Sequence, residues 1–136
     1  MIHRYLKTEA EREFPDFLWT INYYTGNMDT GTIFTEGGGN PDTYDFKWRY
    51  PEYMIFIRSS DWDKAELIAQ KVYDLFHDNK DFRVEERLFV KDSDIFSDRA
   101  FYVQSLFALS EPIRLGVSDD KMEYSINIRA TLREEN

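Results

Sequence analysis

The stretch from Tyr53 to Asn79 constrains the fold of this chain more than any other, because it joins an apolar run directly to an amphipathic pattern. The run Tyr53–Ile57 is long enough for a buried strand and too short for a helix. Beyond a polar turn at Arg58-Ser59-Ser60, apolar residues recur at the spacing of a helix of about five turns. This stripe comprises Trp62, Ala65, Ile68, Ala69, Val72, Tyr73 and Phe76. Neither element can hide its apolar face alone, so the other segments must supply a covering sheet.

The sequence at the start of this helix contains a capping signal. Ser60 is followed three residues later by Asp63, which resembles a capping box with Asp in place of the usual Glu or Gln. Asp61 and Asp63 also add negative charge to the first turn, where the helix dipole favours it. We therefore expect Ser60 to cap the helix.

The remaining segments predict one short helix and several strands. Residues 2–13 place Ile2, Leu6 and Ala10 at helical spacing before Pro15, which is typical of an amphipathic helix. Strands are predicted at Phe17–Tyr24, Thr32–Thr35, Tyr44–Tyr50, Phe82–Val90, Phe101–Leu109 and Met122–Leu132. Between the last two, Ser110–Asp120 is predicted to be a long connector. This order predicts an α+β fold, in which residues 1–136 form a single domain with one largely antiparallel sheet and two helices packed on one face.

The final strand alternates cleanly between apolar and polar residues. Its polar face comprises Glu123, Ser125, Asn127, Arg129 and Thr131. Such a face is either solvated or turned towards a partner. Long antiparallel strands with one exposed face also suit pairing between subunits.

The three consecutive glycines Gly37–Gly39 predict a loop. A phosphate-binding loop needs a following Gly-Lys-Ser/Thr, which is absent. Two interpretations stay open: a flexible hairpin tip, or a docking element that becomes ordered on binding.

Composition excludes several classes of protein. The chain has no cysteine, which excludes disulfides, a cysteine nucleophile and a zinc–thiolate site. No apolar run approaches the roughly 18 residues of a membrane span, and the first residues lack a signal sequence, so we expect a cytoplasmic protein. The net charge is −9 without a basic stripe, which argues against tight, sequence-specific DNA binding.

Acidic residues form the only candidate metal sites. Asp92, Asp94 and Asp98 resemble a calcium loop. However, its fifth, sixth and twelfth positions are Phe96, Ser97 and Val103, where Asp or Asn, Gly and Glu belong. A second set could form a two-metal nuclease site, although helix capping and a turn already account for most of it. This set is Asp61, Asp63, Asp119, Asp120 and Glu123.

The two histidines, His3 and His77, lie in different segments, and we interpret both as structural. The motifs HExxH, GxSxG and GxGxxG are absent. We therefore predict no catalytic, cofactor-binding or metal-binding residue and no enzymatic activity. A metal-dependent hydrolase that uses the acidic loops, and a regulatory domain with a deep ligand pocket, remain as alternatives.

Ordered segments of the second half carry a resemblance to a known family. The strand Met54–Arg58 is followed by the acidic turn Ser60–Asp63 and by a helix ending in Leu75-Phe76-His77. The segment Phe107–Asp120 then contains a proline, a Leu-Gly pair and an Asp-Asp pair, and Tyr124–Ile128 lies in the closing strand. In this order they resemble the tail terminator proteins of long-tailed bacteriophages, also described as minor capsid or tail completion proteins.

The resemblance implies a tail-terminator-like fold and a structural role in the virion. Such subunits close into a hexameric ring that caps the tail tube, stops its polymerisation and joins the head. The implied partners are further copies of the chain, the major tail tube protein and the neck or connector proteins, with DNA passing through the ring unbound and no membrane involved. Assembly would take place in the bacterial cytoplasm. We expect sheet edges and the polar face of Met122–Leu132 to form the ring interface. Another neck or head-closure adaptor is the alternative.

Overall fold

The computed structural model describes residues 1–23, 29–35, 41–44 and 47–135 and has a mixed α+β architecture. Both predicted helices are present, as α1 (His3–Glu13) and α2 (Trp62–Phe76). The strands are β1 (Leu18–Ile21), β2 (Thr30–Thr35), β3 (Trp48–Arg49), β4 (Glu52–Ser59), β5 (Asn79–Phe89), β6 (Phe96–Ala108), β7 (Ile113–Ser118) and β8 (Lys121–Glu135).

All eight of these strands belong to one sheet, in the order β1-β2-β4-β8-β6-β5, with β3 and β7 also paired to β8. Only β1 and β2 run parallel, so the prediction of a largely antiparallel sheet is confirmed. The closing strand β8 is the central one. It pairs with β3 and β4 along one edge and with β6 and β7 along the other.

Helix α1 packs against both ends of the sheet. At one end, the indole Nε1 of Trp19 in β1 donates to the carbonyl of Phe14, just after the helix, at 3.1 Å. At the other end, Arg4 N donates to Glu86 Oε1 in β5 at 3.1 Å. Strands β1 and β5 lie at opposite ends of the strand order, so the sheet must curl for both to reach one helix.

A single apolar core fills the space between the curled sheet and the two helices. Ile2, which precedes α1, and Leu6 and Ala10 of α1 belong to this core, together with Ile68, Ala69, Val72 and Phe76 of α2. The central strands contribute Ile55, Ile57, Ile126 and Ile128. The predicted stripe of α2 is therefore buried, with two exceptions. Trp62 is half exposed, and Tyr73 is only partly buried.

The prediction of a polar turn at Arg58-Ser59-Ser60 is wrong for its first two residues. Strand β4 continues through Ser59, and both Arg58 and Ser59 are buried. The helix cap is also displaced by one residue, since Asp61 rather than Ser60 accepts a hydrogen bond from Lys64 N, at 3.1 Å. The 15 residues of α2 make about four turns rather than five.

The prediction that Ser110–Asp120 is a connector is wrong, because it contains β7. This strand forms a hairpin with β8 through Asp119 and Asp120, whose φ angles of 52° and 62° suit a two-residue turn. Gly116 lies at an irregularity in the pairing and has a φ of 108°, which few other residues adopt. Pro112 and Gly116 are residues typical of loops, and for this reason the sequence indicated a connector here instead of a strand.

Other boundaries differ by a few residues. The loop between the predicted strands Phe82–Val90 and Phe101–Leu109 is shorter than expected, because β6 begins at Phe96, while β5 ends at Phe89. The predicted strand Tyr44–Tyr50 is a strand at Trp48–Arg49. Part of that prediction, residues 45–46, lies outside the described residues, as does the whole of Gly37–Gly39.

Candidate assembly surface

Four of the five side chains on the polar face of β8 have partners within the chain. Ser125 is buried and its Oγ accepts a hydrogen bond from Asn127 Nδ2 at 3.2 Å. Arg129 Nη2 lies 2.6 Å from Glu52 Oε1 on the neighbouring β4. These partners leave the face less available to another subunit than the sequence suggested.

Two residues of the candidate two-metal set, Asp119 and Glu123, lie beside an arginine. The buried Arg58 places Nη2 3.6 Å from Asp119 Oδ2 and Nε 3.7 Å from Glu123 Oε2. Its Nη2 also donates to the carbonyl of Ser118 at 3.2 Å. The guanidinium thus supplies the positive charge at this corner.

The other acidic candidates do not form a metal site. Asp61 caps α2, and Asp98 lies in β6, where it forms an ion pair with Arg87 of β5. Asp92 and Asp94 remain in the loop, which a hydrogen bond from Val90 N to the carbonyl of Ile95 closes at 2.9 Å. Within the described ranges, no group of three or more His, Asp or Glu residues could hold a metal ion.

Both histidines have structural partners. His77 follows α2, where its Nδ1 accepts a hydrogen bond from Ala108 N at 3.0 Å, so this nitrogen carries no proton in this arrangement. Its ring also stacks on Tyr73, with centroids 4.8 Å apart. His3 is half-buried, and burial, then the positive charges of the Met1 amino group and Arg4, lower its pKa to about 4.

An open cleft of about 680 Å³ lies over the β5–β6 hairpin and the end of β8. Its arginines are matched by carboxylates, so it offers little free positive charge to an anion. The pairs are Arg83 with Glu135 at 2.8 Å, Arg99 with Glu134 at 2.9 Å, and Arg87 with Asp98.

Among the described residues, two groups of exposed apolar side chains lie at the two ends of β6. The first, which we call the hairpin tip, lies where β5 turns into β6 and comprises Leu88, Phe89, Val90, Ile95 and Phe96. These side chains are 38–65% exposed. The guanidinium of Arg87 lies 4.8 Å from the ring centroid of Phe96, a cation–π contact within the hairpin tip.

The second group, which we call the edge patch, lies at the other end of β6 and on β7. It comprises Phe107, Leu109, Ile113, Leu115 and Val117, which are 42–53% exposed. Within the described residues β7 pairs with β8 alone, so its second edge presents unpaired backbone donors and acceptors. Ile113 lies opposite Ser125 and Val117 opposite Met122, so the exposed apolar side chains of β7 lie on both faces of this unpaired edge.

The two groups lie at opposite ends of one strand. Phe96 and Phe107 lie eleven positions apart in β6, which corresponds to about 36 Å at the usual rise of a strand. The hairpin tip of a subunit therefore cannot cover its own edge patch.

No model of a known protein family matches the chain, and no curated protein is significantly similar to it. None of the described helices has the length and apolar character needed to cross a membrane. The hairpin tip and the edge patch are the candidate interaction surfaces of the described residues.

Proposed function

We propose that this chain is a structural subunit of a bacteriophage tail, a tail terminator that closes into a ring. The ring would cap the tail tube, stop its polymerisation and present the surface that joins the head. The observation that carries the proposal is the pair of different apolar surfaces at opposite ends of β6. A subunit that joins two unlike patches assembles head to tail, and a head-to-tail contact closes into a ring when the rotation permits.

The fold is consistent with this role. The segments that carry the resemblance fall on β4 and α2, and on the end of β6, β7 and β8. All the strands among them are neighbours in the sheet, and α2 packs on β4 and β8. The segments that carry the resemblance thus form one contiguous unit of the protein, which supports the proposal.

The charge of the chain suits a conduit for DNA. With a net charge of −9, the chain has little excess positive charge to neutralise DNA phosphates. Few counterions would therefore be released on contact, and DNA would not be held tightly in the ring. The arginines of the cleft are already paired with carboxylates, which further weakens any binding of DNA phosphates. In this proposal the partners are further copies of the chain, the tail tube protein and the neck proteins, and the role is not enzymatic.

Light scattering coupled to size-exclusion chromatography tests the assembly. We expect a concentration-dependent species of about 98 kDa, six times the 16.3 kDa of the chain, and rings in negative-stain micrographs. A protein that stays monomeric at millimolar concentration and also fails to bind isolated tail tubes would contradict the proposal.

The morphology of a phage that lacks the gene separates the terminator from a head-closure adaptor. Loss of a terminator leaves tube polymerisation unchecked, so overlong tails are expected. Tailless heads that leak DNA, with tails of normal length, would assign the chain to head closure instead.

A further inference from the structure

We propose that a row of arginines and aromatic residues on one face of the sheet is the site at which a copy of the chain binds helix α2 of the next copy. This row, which we call the arginine–aromatic row, comprises Trp48 of β3, Arg133 of β8, Tyr102 of β6 and Arg83 of β5. The inference deepens the proposed function and rests on it, because it assigns a contact between neighbouring copies of the ring.

Direct pairing across four strands places the row on the face of the sheet that points away from the helices. Arg133 lies opposite Trp48 on one side and opposite Tyr102 on the other. Tyr102 in turn lies opposite Arg83. Residues directly opposite each other share a face, and successive residues of a strand alternate between faces. Since the neighbouring Leu132 belongs to the core, the row points outward.

The guanidinium of Arg133 is held by the two aromatic rings beside it. Its central carbon lies 5.4 Å from the ring centroid of Trp48 and 5.3 Å from that of Tyr102. The two rings also make an edge contact, with their centroids 6.4 Å apart. Both aromatic residues are half-buried, whereas Arg133 is exposed. The cation–π contacts therefore fix a charged side chain that a partner can still reach.

Arg133 differs in its partners from three other exposed arginines on this face. Arg83, Arg87 and Arg129 share the face through their positions in β5 and β8, and each forms an ion pair with a carboxylate. In the described part of the chain, no Asp or Glu forms an ion pair with Arg133. Its N–H donors therefore suit an added carboxylate, which a guanidinium binds in a bidentate arrangement.

The residue types of the row are those of an interface. Trp, Tyr and Arg contribute most of the binding energy in protein–protein contacts. Side chains that are already held in one arrangement lose less entropy on association. The row also continues the polar face of β8, because Arg133 lies two residues beyond Thr131 in the same strand.

The matching acidic surface is the exposed side of α2. Asp63, Glu66 and Asp74 are exposed there, and none of them forms an ion pair with a described residue. Lys71 is the single exposed cation among the fifteen residues of this helix, all of which the structure describes. Three carboxylates against one cation leave an excess of negative charge, which is complementary to Arg133.

An exposed leucine lies in the middle of this acidic side. Leu67 is 54% exposed, one helical turn after Asp63 and about two turns before Asp74. Glu66 directly precedes it and has a longer side chain than either aspartate. In the proposed contact, Leu67 packs against the aromatic rings of the next copy, and the carboxylate of Glu66 binds the guanidinium of Arg133.

The two surfaces lie on opposite sides of one molecule. Helix α2 packs on the sheet through Ile68 and Val72, which share the core with Ile126 and Ile128 of β8. The arginine–aromatic row lies on the other face of the same strand. A chain therefore cannot bring its own α2 to its own row, whereas two copies can do so head to tail, as a ring requires.

Charge reversal tests the docking. Arg133→Glu and, separately, Glu66→Arg should each weaken self-association by about tenfold or more in sedimentation velocity measurements. Arg114→Glu is the matched control for the change in net charge, since Arg114 is exposed on β7 and forms no ion pair with a described residue. All three variants should keep the circular dichroism spectrum of the wild type, because the substituted side chains are exposed.

The outcomes separate the docking from the ring. Rings that survive Arg133→Glu unchanged would overturn the docking and leave the proposed ring in place. An equal loss with Arg114→Glu would show that net charge, rather than the row, governs association, and would also overturn the docking. A wild-type chain that never associates would overturn the ring and the docking together.

Mixing the two reversed variants tests the pairing and its direction. Alone, each variant places like charges at the contact and should stay dissociated. In a 1:1 mixture the new glutamate of one variant faces the new arginine of the other, and the remaining contacts have the wild-type pair, so rings of alternating variants should form. A mixture that stays monomeric would overturn the pairing of Arg133 with Glu66, and a mixture that stops at dimers would overturn the head-to-tail arrangement.

A fluorescein-labelled oligo(dT) strand tests a different use of the row, since aromatic residues interleaved with arginines also bind single-stranded nucleic acid. We expect no binding at physiological salt, because the chain has a net charge of −9 and Arg133 already contacts both rings. Binding that Trp48→Ala abolishes would assign the row to nucleic acid and overturn the docking.

Discussion

The carboxylate of Asp29 accepts a hydrogen bond from the backbone N–H of Ser60 at 2.9 Å, across 31 positions of sequence. Its other oxygen accepts from Ser59 Oγ at 2.8 Å. The residue just before β2 thus fixes the junction where β4 passes into α2. Burial acts to raise the pKa of Asp29, but the hydrogen bonds from Ser60 and Ser59 and the charge of Lys64 outweigh it and lower the pKa overall.

Replacing Asp29 should loosen this junction. We expect Asp29→Ala to lower the free energy of unfolding by about 1–3 kcal/mol at pH 7, because hydrogen bonds to a charged acceptor are lost. Urea denaturation measures the change. Because the folded-state pKa is depressed, this stabilisation is present above the ordinary pKa of 3.8 and is lost as the pH falls through the folded-state value. The difference between wild type and Asp29→Asn should therefore shrink in acid, and a difference independent of pH would contradict the assignment.

The sequence predicted the elements of this junction but not its contacts. Apolar periodicity reports which face of β4 and α2 is buried, so both elements were found. It cannot report that a carboxylate from another strand will satisfy Ser59 and Ser60, and these residues therefore resembled an independent turn and cap. The curl of the sheet was missed for the same reason, since it depends on α1 contacting β1 and β5 together.

The candidate surface was missed in part because its signal was weak. Ile113, Leu115 and Val117 alternate as a strand does, and this pattern could have identified β7 despite Pro112 and Gly116. The hairpin tip offered no such signal, because apolar residues beside a loop look the same in sequence whether they are buried or exposed. Only the pairing of β5 with β6 shows that Phe89 and Phe96 project beyond the core.

Gly31 allows Trp19 to lie flat across β2. A Cβ atom at Gly31 would lie 2.2 Å from Trp19 Cζ3, and Trp19 is buried, so the ring would have to move. We expect Gly31→Ala to destabilise the fold by about 1–3 kcal/mol in urea denaturation, as overpacking of a core does. A double-mutant cycle provides the control: in a Trp19→Leu background the same alanine should cost much less. Equal costs in the two backgrounds would show that the indole is not what excludes the side chain.

Removing Arg58 should leave Glu123 partly buried without its partner. The side chain of Glu123 is 17% exposed, whereas that of Asp119, the other carboxylate beside Arg58, is 86% exposed. We expect Arg58→Ala to cost about 3–5 kcal/mol, as in other broken buried ion pairs. Asp119→Asn is the matched control and should change stability by less than about 1 kcal/mol, as exposed pairs do. A large effect of Asp119→Asn would mean that the turn, rather than the buried pair, carries the stability of this corner.

Protonation of His3 should destabilise the fold as the pH falls. Burial, followed by the charges of the Met1 amino group and Arg4, lowers its pKa from 6.5 to about 4 in the folded protein. Between these values the unfolded chain binds a proton that the folded chain does not, so the free energy of unfolding rises with pH across this window. The stabilisation is complete above about pH 6.5 and is lost progressively towards pH 4.

Comparison with His3→Gln isolates this contribution, because carboxylates titrate in the same range in both proteins. Between pH 7 and pH 4 the wild type should lose more stability than the variant in urea denaturation. An NMR titration of the ring protons gives an independent measure, and His77→Gln assigns the signals, since the chain has two histidines. A pKa near 6.5 for His3 in the folded protein would contradict this prediction. The folded and unfolded states would then bind protons alike, and wild type and His3→Gln would lose stability in parallel.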